Sequence, residues 1–220
     1  MKRLELVSWG AGVQSTAIAV LIERGDLPKP DAFLWADTGD EPEAVYAHVE
    51  RWRPRLNAIA PFIEVRKGGK TPRLGDAVIS KALKGTGTNT LPFHLPSAGG
   101  RPTITQRGCT FNYKREPLER AAARLVKTEG AAGFRWWLGI SRDEMQRMKT
   151  GMYHPLVENF DGSWRRPGMT RADCVKLLSD VGETAPRSSC VFCPFRTMHE
   201  WSVLSESDRA RVMEVDRAIG

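Results

Sequence analysis

Long apolar runs are missing from this chain of 220 residues. None approaches the ~18 residues needed to cross a bilayer, so no membrane association is expected. The opening Met-Lys-Arg-Leu-Glu-Leu-Val has neither the apolar stretch nor the small-residue cleavage site of a secretory signal, and a cytoplasmic protein is expected. Cysteine is scarce, with Cys109, Cys174, Cys190 and Cys193 alone. Four thiols, two of them in a C-x-x-C pair, point to a metal or redox site rather than a disulfide framework. Internal repeats, low-complexity tracts and clear linkers are also absent. A single α/β domain over residues 1–220 is therefore expected, with a metal-binding portion from about residue 165.

What is present is ordinary globular material: 41% hydrophobic and 27% charged residues exclude wholesale disorder. The net charge is +7, and it is unevenly spread. Residues 100–150 hold 11 basic and 5 acidic side chains, so +6 of the excess lies in that block. Such a concentration suits a polyanionic partner or substrate.

Strand and helix patterns alternate. Residues 4–8 and 32–36 read as buried strands, 62–65 as a third and 134–140 as a fourth. Helices are predicted over 15–22, 43–52 (broken near Pro54), 74–83, 114–127, 170–178 and 206–218, the last capped by Ser205. No element is predicted between Gly85 and Gly108, a Gly- and Pro-rich stretch of the length typical of a lid or binding loop. Residues 160–164 read as a hairpin turn. The alternation predicts a Rossmann-like, doubly wound, mostly parallel sheet with helices on both faces and a small cysteine-bearing helical portion at the end.

The sharpest motif follows the first strand: Ser8-Trp9-Gly10-Ala11-Gly12-Val13-Gln14-Ser15. Glycines permit a tight turn and close approach of a ligand, and the N–H groups at the following helix N-terminus favour an anion. Hydroxyls of Ser8 and Ser15 can donate to phosphate oxygens. No Gly-Lys-Ser/Thr follows, so this is not a Walker A loop, and Ser15 stands where a G-x-G-x-x-G motif has its third glycine.

This loop resembles the PP-loop of the adenine nucleotide alpha-hydrolase-like enzymes, and within them the phosphoadenylyl sulfate reductase-like branch. Four further segments resemble that branch in the same order: Asp37-Thr38-Gly39 with Glu41-Pro42-Glu43, Cys109 with Lys114-Arg-Glu-Pro117-Leu118, Gly139-Ile-Ser-Arg142-Asp143-Glu144, and Cys190-Val-Phe-Cys193. The resemblance spans residues 4–196. Trp9 and Gln14 depart from it, standing where the family has a glycine and an aspartate.

The resemblance implies an ATP-pyrophosphatase-type enzyme that binds ATP or a related adenine nucleotide, with magnesium, at the carboxyl ends of the strands. Ser8, Gly10, Gly12, Gln14, Ser15 and Gly139 would hold phosphates, and Asp37 and Thr38 would lie near adenine or ribose. Lys114 and Arg142 are the candidates for charge on the leaving pyrophosphate. Cys109, Cys190 and Cys193 would ligate a [4Fe–4S] cluster, with zinc as the runner-up metal. Either Cys174 is a fourth ligand or one iron stays open; the alternative for Cys174 is a buried structural thiol. The family's reductases use a nucleophilic cysteine near the C-terminus, and none follows Cys193 here. The expected activity is therefore ATP-dependent sulfur transfer to a tRNA or DNA acceptor, with sulfide or a donor protein supplying sulfur. A sulfonucleotide reductase-like enzyme and a nucleic-acid-binding module with structural zinc are the alternatives.

Among other residues, His48 lies on an apolar helix face and reads as a packed histidine; His94 and His154 flank loops. Trp9 either wedges the loop or stacks on a base, and Trp136 and Trp137 read as core. Arg101, Arg107, Arg115, Arg120 and Arg124 form either a nucleic-acid groove or a solvated face.

Overall fold

The structure is a computed structural model that describes residues 2–68, 73–85, 91–92, 94–95, 103–104 and 107–219, with the backbone alone for 94, 95, 103 and 104. Arg101, the His94 side chain and most of the loop expected over 85–108 lie outside the described residues. In chain order the elements are β1 (Arg3–Ser8), α1 (Val13–Glu23), β2 (Ala32–Asp37), α2 (Glu43–Ile59), β3 (Phe62–Arg66), α3 (Leu74–Leu83), β4 (His94–Leu95) and β5 (Thr103–Ile104). A π-helical turn over Thr110–Arg115 then leads into α4 (Glu116–Thr128), followed by β6 (Gly133–Trp137), a 3-10 turn (Arg142–Arg147), α5 (Arg171–Asp180), α6 (Met198–Ser202) and α7 (Glu206–Ile219). Among the described residues no helix is long and apolar enough to cross a membrane.

The chain forms two compact units. The first comprises Met1–Trp35, Ala44–Glu64 and Arg120–Ser188, and the second Ala36–Glu43, Val65–Glu119 and Ser189–Gly220.

The first unit carries a parallel sheet in the order β3-β2-β1-β6 flanked by helices, the α/β architecture expected of a Rossmann-like doubly wound fold. β2 is buried along its whole length, which is why it reads as an uninterrupted apolar run. α1 is apolar on nearly every side and lies in the core, whereas α2 buries one stripe: Val45, His48, Val49, Trp52 and Leu56. That stripe carries α2 straight through Pro54, where a break was expected. Packing of Leu56, fully buried, outweighs the one hydrogen bond that proline removes. β6 stops at Trp137 rather than Ile140, where its register with β1 ends; on its other edge Trp137 bridges Tyr153, with the Leu138 N–H on the Tyr153 carbonyl at 2.9 Å. The hairpin turn at 160–164 is present, closed by Asn159 N–H on the Ser163 carbonyl at 2.7 Å. Thr170 caps α5 in a reciprocal pair with Asp173.

In the second unit α3 packs against α7, and Leu74, Ala77, Val78, Leu91, Tyr113, Val191, Phe192 and Val215 form its apolar core. Ser205 caps α7 as expected, accepting the Asp208 N–H at 3.1 Å. β4 and β5 pair antiparallel inside the stretch where no element was predicted. Two-residue strands offer no periodicity to read.

Candidate functional site

Chain order in the sheet defines a switch point. From β1 the chain winds outward through β2 and β3, then returns to add β6 on the other side of β1. The crevice beyond the carboxyl ends of β1 and β6 is where open α/β sheets bind ligands. The two segments that leave those strands are the Ser8–Ser15 loop and the Gly139–Glu144 segment.

The loop reverses direction at Ala11, whose φ of 55° is the left-handed conformation. Gly10 and Gly12, expected to make the turn, serve closeness instead. A Cβ on Gly12 would stand 2.9 Å from the Ser188 Cβ, and one on Gly10 would stand 3.2 Å from the Ser188 Oγ. The Ser15 hydroxyl is buried and spent locally: it accepts the Gly12 N–H at 3.1 Å and donates to the Gly12 carbonyl at 3.0 Å. It therefore shapes the loop from within. Ser8 ends β1, in register with Leu34 of β2. No residue of the first turn of α1 is itself acidic.

Gly139 sits against that first turn. A Cβ at Gly139 would lie 3.0 Å from the Ser15 nitrogen and 3.2 Å from the Gln14 Cβ, so a side chain here would press the first turn of α1 back by a few tenths of an ångström. Gln14 then donates its amide to Glu144 at 3.0 Å. Two segments far apart in sequence, each singled out by resemblance, thus meet in one crevice. Arg142 opens the 3-10 turn; its N–H donates to the Met169 carbonyl at 2.7 Å and its side chain is exposed, with Asp173 as a charged neighbour.

Trp9 wedges the loop. Its ring is buried, stacks on His48 (centroids 5.7 Å apart, planes 11° apart) and meets Phe62 edge-on. Arg51 can only donate, so His48 Nδ1 accepts from it at 3.2 Å, and the Nε2–H donates to Thr16 Oγ1 at 3.0 Å. Burial, with the Arg51 and Arg55 charges, pushes the His48 pKa down to about 4. His48 is a neutral, packed histidine, as expected from its position. His154 is also buried, its ring nitrogen 3.0 Å from Glu158.

In the second unit the Asp37–Glu43 segment is a hub of charge. Asp37, fully buried, accepts the Gly39 N–H at 2.7 Å and pairs with Arg66 at 2.5 Å. Thr38 donates its hydroxyl to Glu41 at 3.0 Å. Asp40 accepts from Arg73 (3.0 Å), Arg211 (2.8 Å) and the Gly75 N–H (2.7 Å), and Arg211 also grips Asp76 and Glu214, each at 2.6 Å.

The thiols gather in the same unit. Cys190 and Cys193 are buried in its apolar core, with Cys109 packed against it. The Cys190–Cys193 turn is closed by the Cys193 N–H on the Cys190 carbonyl at 3.2 Å. Arg196 clasps that turn from outside, donating to the carbonyls of Ser189 at 2.9 Å and Cys190 at 3.1 Å. Lys114 lies 3.1 Å from Glu41. Burial pushes the Lys114 ammonium down, but Glu41 and the Cys190 and Cys109 thiols outweigh it and raise its pKa. Burial, then Glu41, push the Cys190 thiol up, opposed by Lys114. Lys114 thus pairs with Glu41 and has the Cys190 and Cys109 thiols as charged neighbours. Cys174 belongs to α5 and is fully buried in the core of the first unit, with its pKa pushed up to about 12 by burial.

Cys109, Cys190 and Cys193 thus come from two segments of one unit, with the Lys114 cation as a charged neighbour of two of them. Among the described residues no three His, Cys, Asp or Glu side chains form a group that could hold a metal ion.

Sequence reasoning gave Glu41 no role and passed over Arg196 and Ser188. No local spacing announces Arg196, because its side chain reaches the carbonyls of Ser189 and Cys190 through non-helical turns. No protein-family model and no curated protein matches the chain.

Proposed function

We propose that this chain is an ATP-dependent PP-loop enzyme that activates an oxygen of a nucleic-acid acceptor and exchanges it for sulfur. The observation that carries the reading is the crevice beyond β1 and β6, where Gly139 lies against Ser15 and Gln14 is tied to Glu144. ATP phosphates lie against the N–H groups of the Ser8–Ser15 loop, where the dipole of α1 favours the negative charge. The acceptor oxygen attacks the α-phosphorus of ATP, the bond to the β-phosphate oxygen breaks, and pyrophosphate leaves. Arg142, exposed at the same end of the sheet, supplies positive charge for that leaving group. A sulfur nucleophile then displaces AMP from the adenylated position.

Cys109, Cys190 and Cys193 are the residues that would hold a [4Fe–4S] cluster. Such a cluster, when bound, would supply a place to hold sulfide. Lys114 and Arg196 work around the thiols: the first offsets thiolate charge, the second fixes the turn that presents two of them.

Protein purified without oxygen is the test. Iron and acid-labile sulfide bound to the chain, with AMP and pyrophosphate formed from ATP only when RNA or DNA is added, are the expected results. One zinc per chain and no nucleotide turnover would replace this reading with a nucleic-acid-binding module. Sulfite released from an adenylyl sulfate would replace it with a reductase.

A further inference from the structure

Two aromatic rings stand exposed beside the thiols of the second unit. Phe111 follows Cys109 by two residues, and Phe195 follows Cys193 by two. Phe111 is 51% exposed and Phe195 43% exposed, large values for phenylalanine. Each ring carries a guanidinium: Arg115 over Phe111 at 5.8 Å and Arg107 over Phe195 at 5.3 Å from the ring centroid. Arg107 precedes Cys109 by two residues, so its contact with Phe195 draws the Cys109 segment onto the Cys193 segment. Phe111 belongs to the π-helical turn, closed by the Glu116 N–H on the Phe111 carbonyl. Such turns are rare and are often found at functional sites.

The geometry points to Phe111 and Phe195, with Arg107 and Arg115, as a stacking platform for unpaired nucleotides beside Cys109 and Cys193. This deepens the sulfur-transfer reading and rests on it for the role of the thiols. An exposed ring with an arginine on its face is both apolar and positive. Its complement is a partner that offers flat π-faces along an anionic backbone, which unpaired nucleic acid does and a stacked duplex does not. Arg115 is oriented by Glu119 at 2.6 Å, which leaves its charge partly offset; Arg107 is exposed. Both arginines belong to the 100–150 block that carries +6 of the net charge. Acceptance of an unpaired base also suits the chemistry, because a base atom must leave its stack before it can react.

Fluorescence anisotropy of the full chain, purified without oxygen, tests this with labelled single-stranded RNA, single-stranded DNA and the matching duplexes. The expected result is tighter binding to single strands, with the preferred sugar naming the source. Replacement of both rings, Phe111→Ala with Phe195→Ala, should weaken single-strand affinity about ten-fold or more, since each stacked base contributes roughly a factor of ten. Phe111→Trp with Phe195→Trp should restore it. Wild-type affinity in the double alanine variant, or equal affinity for duplex in the parent protein, overturns the platform. Iron content and ATP affinity are measured on the same samples. Their loss in the parent protein defeats the sulfur-transfer reading and leaves the anisotropy result to judge the platform separately.

Discussion

Gln14 donates its side-chain amide to a Glu144 carboxylate oxygen at 3.0 Å, across 130 positions of sequence. Gln14 stands where the resembled family has an aspartate, and an aspartate would set two carboxylates against each other here. Amide and carboxylate are instead complementary. Gln14→Glu should therefore lower ATP affinity and thermal stability, and adding Glu144→Gln should recover most of both. Isothermal titration with ATP and thermal melts of the two variants check this. Additive losses would show that the pair is not coupled.

Gly139 and Gly12 are sensitive to a single methyl group. Gly139→Ala drives a Cβ to 3.0 Å from the Ser15 nitrogen and should displace the first turn of α1. A cost of about 1–3 kcal/mol in urea unfolding is expected, with loss of ATP affinity. Gly12→Ala meets the Ser188 Cβ at 2.9 Å, and Ser188→Gly should relieve it.

His48 makes stability depend on pH. Its folded pKa of about 4 lies below the ordinary 6.5, so above pH 6.5 the ring is neutral in both states and stability is complete. As pH falls from 6.5 toward 4, only the unfolded chain takes up the proton, and stability drops by on the order of 3 kcal/mol. Urea unfolding of the parent protein and of His48→Gln across that window should show the fall in the first and a flatter profile in the second.

The cysteines should divide into two classes. Cys109→Ser, Cys190→Ser and Cys193→Ser should each lower bound iron. Cys174→Ala should leave iron unchanged and cost about 1 kcal/mol of stability, because it removes one buried atom from the first unit's core. Iron lost from Cys174→Ala at unchanged stability would instead make that thiol a ligand.

Arg211 joins three carboxylates in the second unit, and Asp40 among them is fully buried on its side chain. Arg211→Met should destabilise the chain by about 3 kcal/mol, at the lower end for a broken buried pair, since Arg73 and the Gly75 N–H still serve Asp40. Chemical denaturation followed by tryptophan fluorescence would detect it.

Local pattern was legible in the sequence. The apolar run of β2, the stripe of α2 and the cap at Ser205 state their structure within a few residues. The passage of α2 through Pro54 was not legible, because it depends on what Leu56 packs against. The π-helical turn was not legible either: its hydrogen bonds skip one residue more than the α-helical period, and side-chain chemistry does not announce that. At the candidate site, residue types and spacing singled out Gly10, Gly12 and the C-x-x-C pair, and the resemblance added Gly139 and Cys109. They did not reveal that Ser188 is what the first two glycines accommodate, or that Lys114 pairs with Glu41.

The sequence by itself determined the α/β alternation, the glycine-bearing loop after the first strand, the C-x-x-C pair and the concentration of positive charge. Each is set by neighbours a few positions apart. Only the tertiary structure decided which loops share the crevice beyond β1 and β6, which cysteines pack together and which one is core, and which arginines lie on exposed rings. Those outcomes depend on close packing between segments distant in sequence, where a few tenths of an ångström at a glycine or one buried charge decides what can stand beside what.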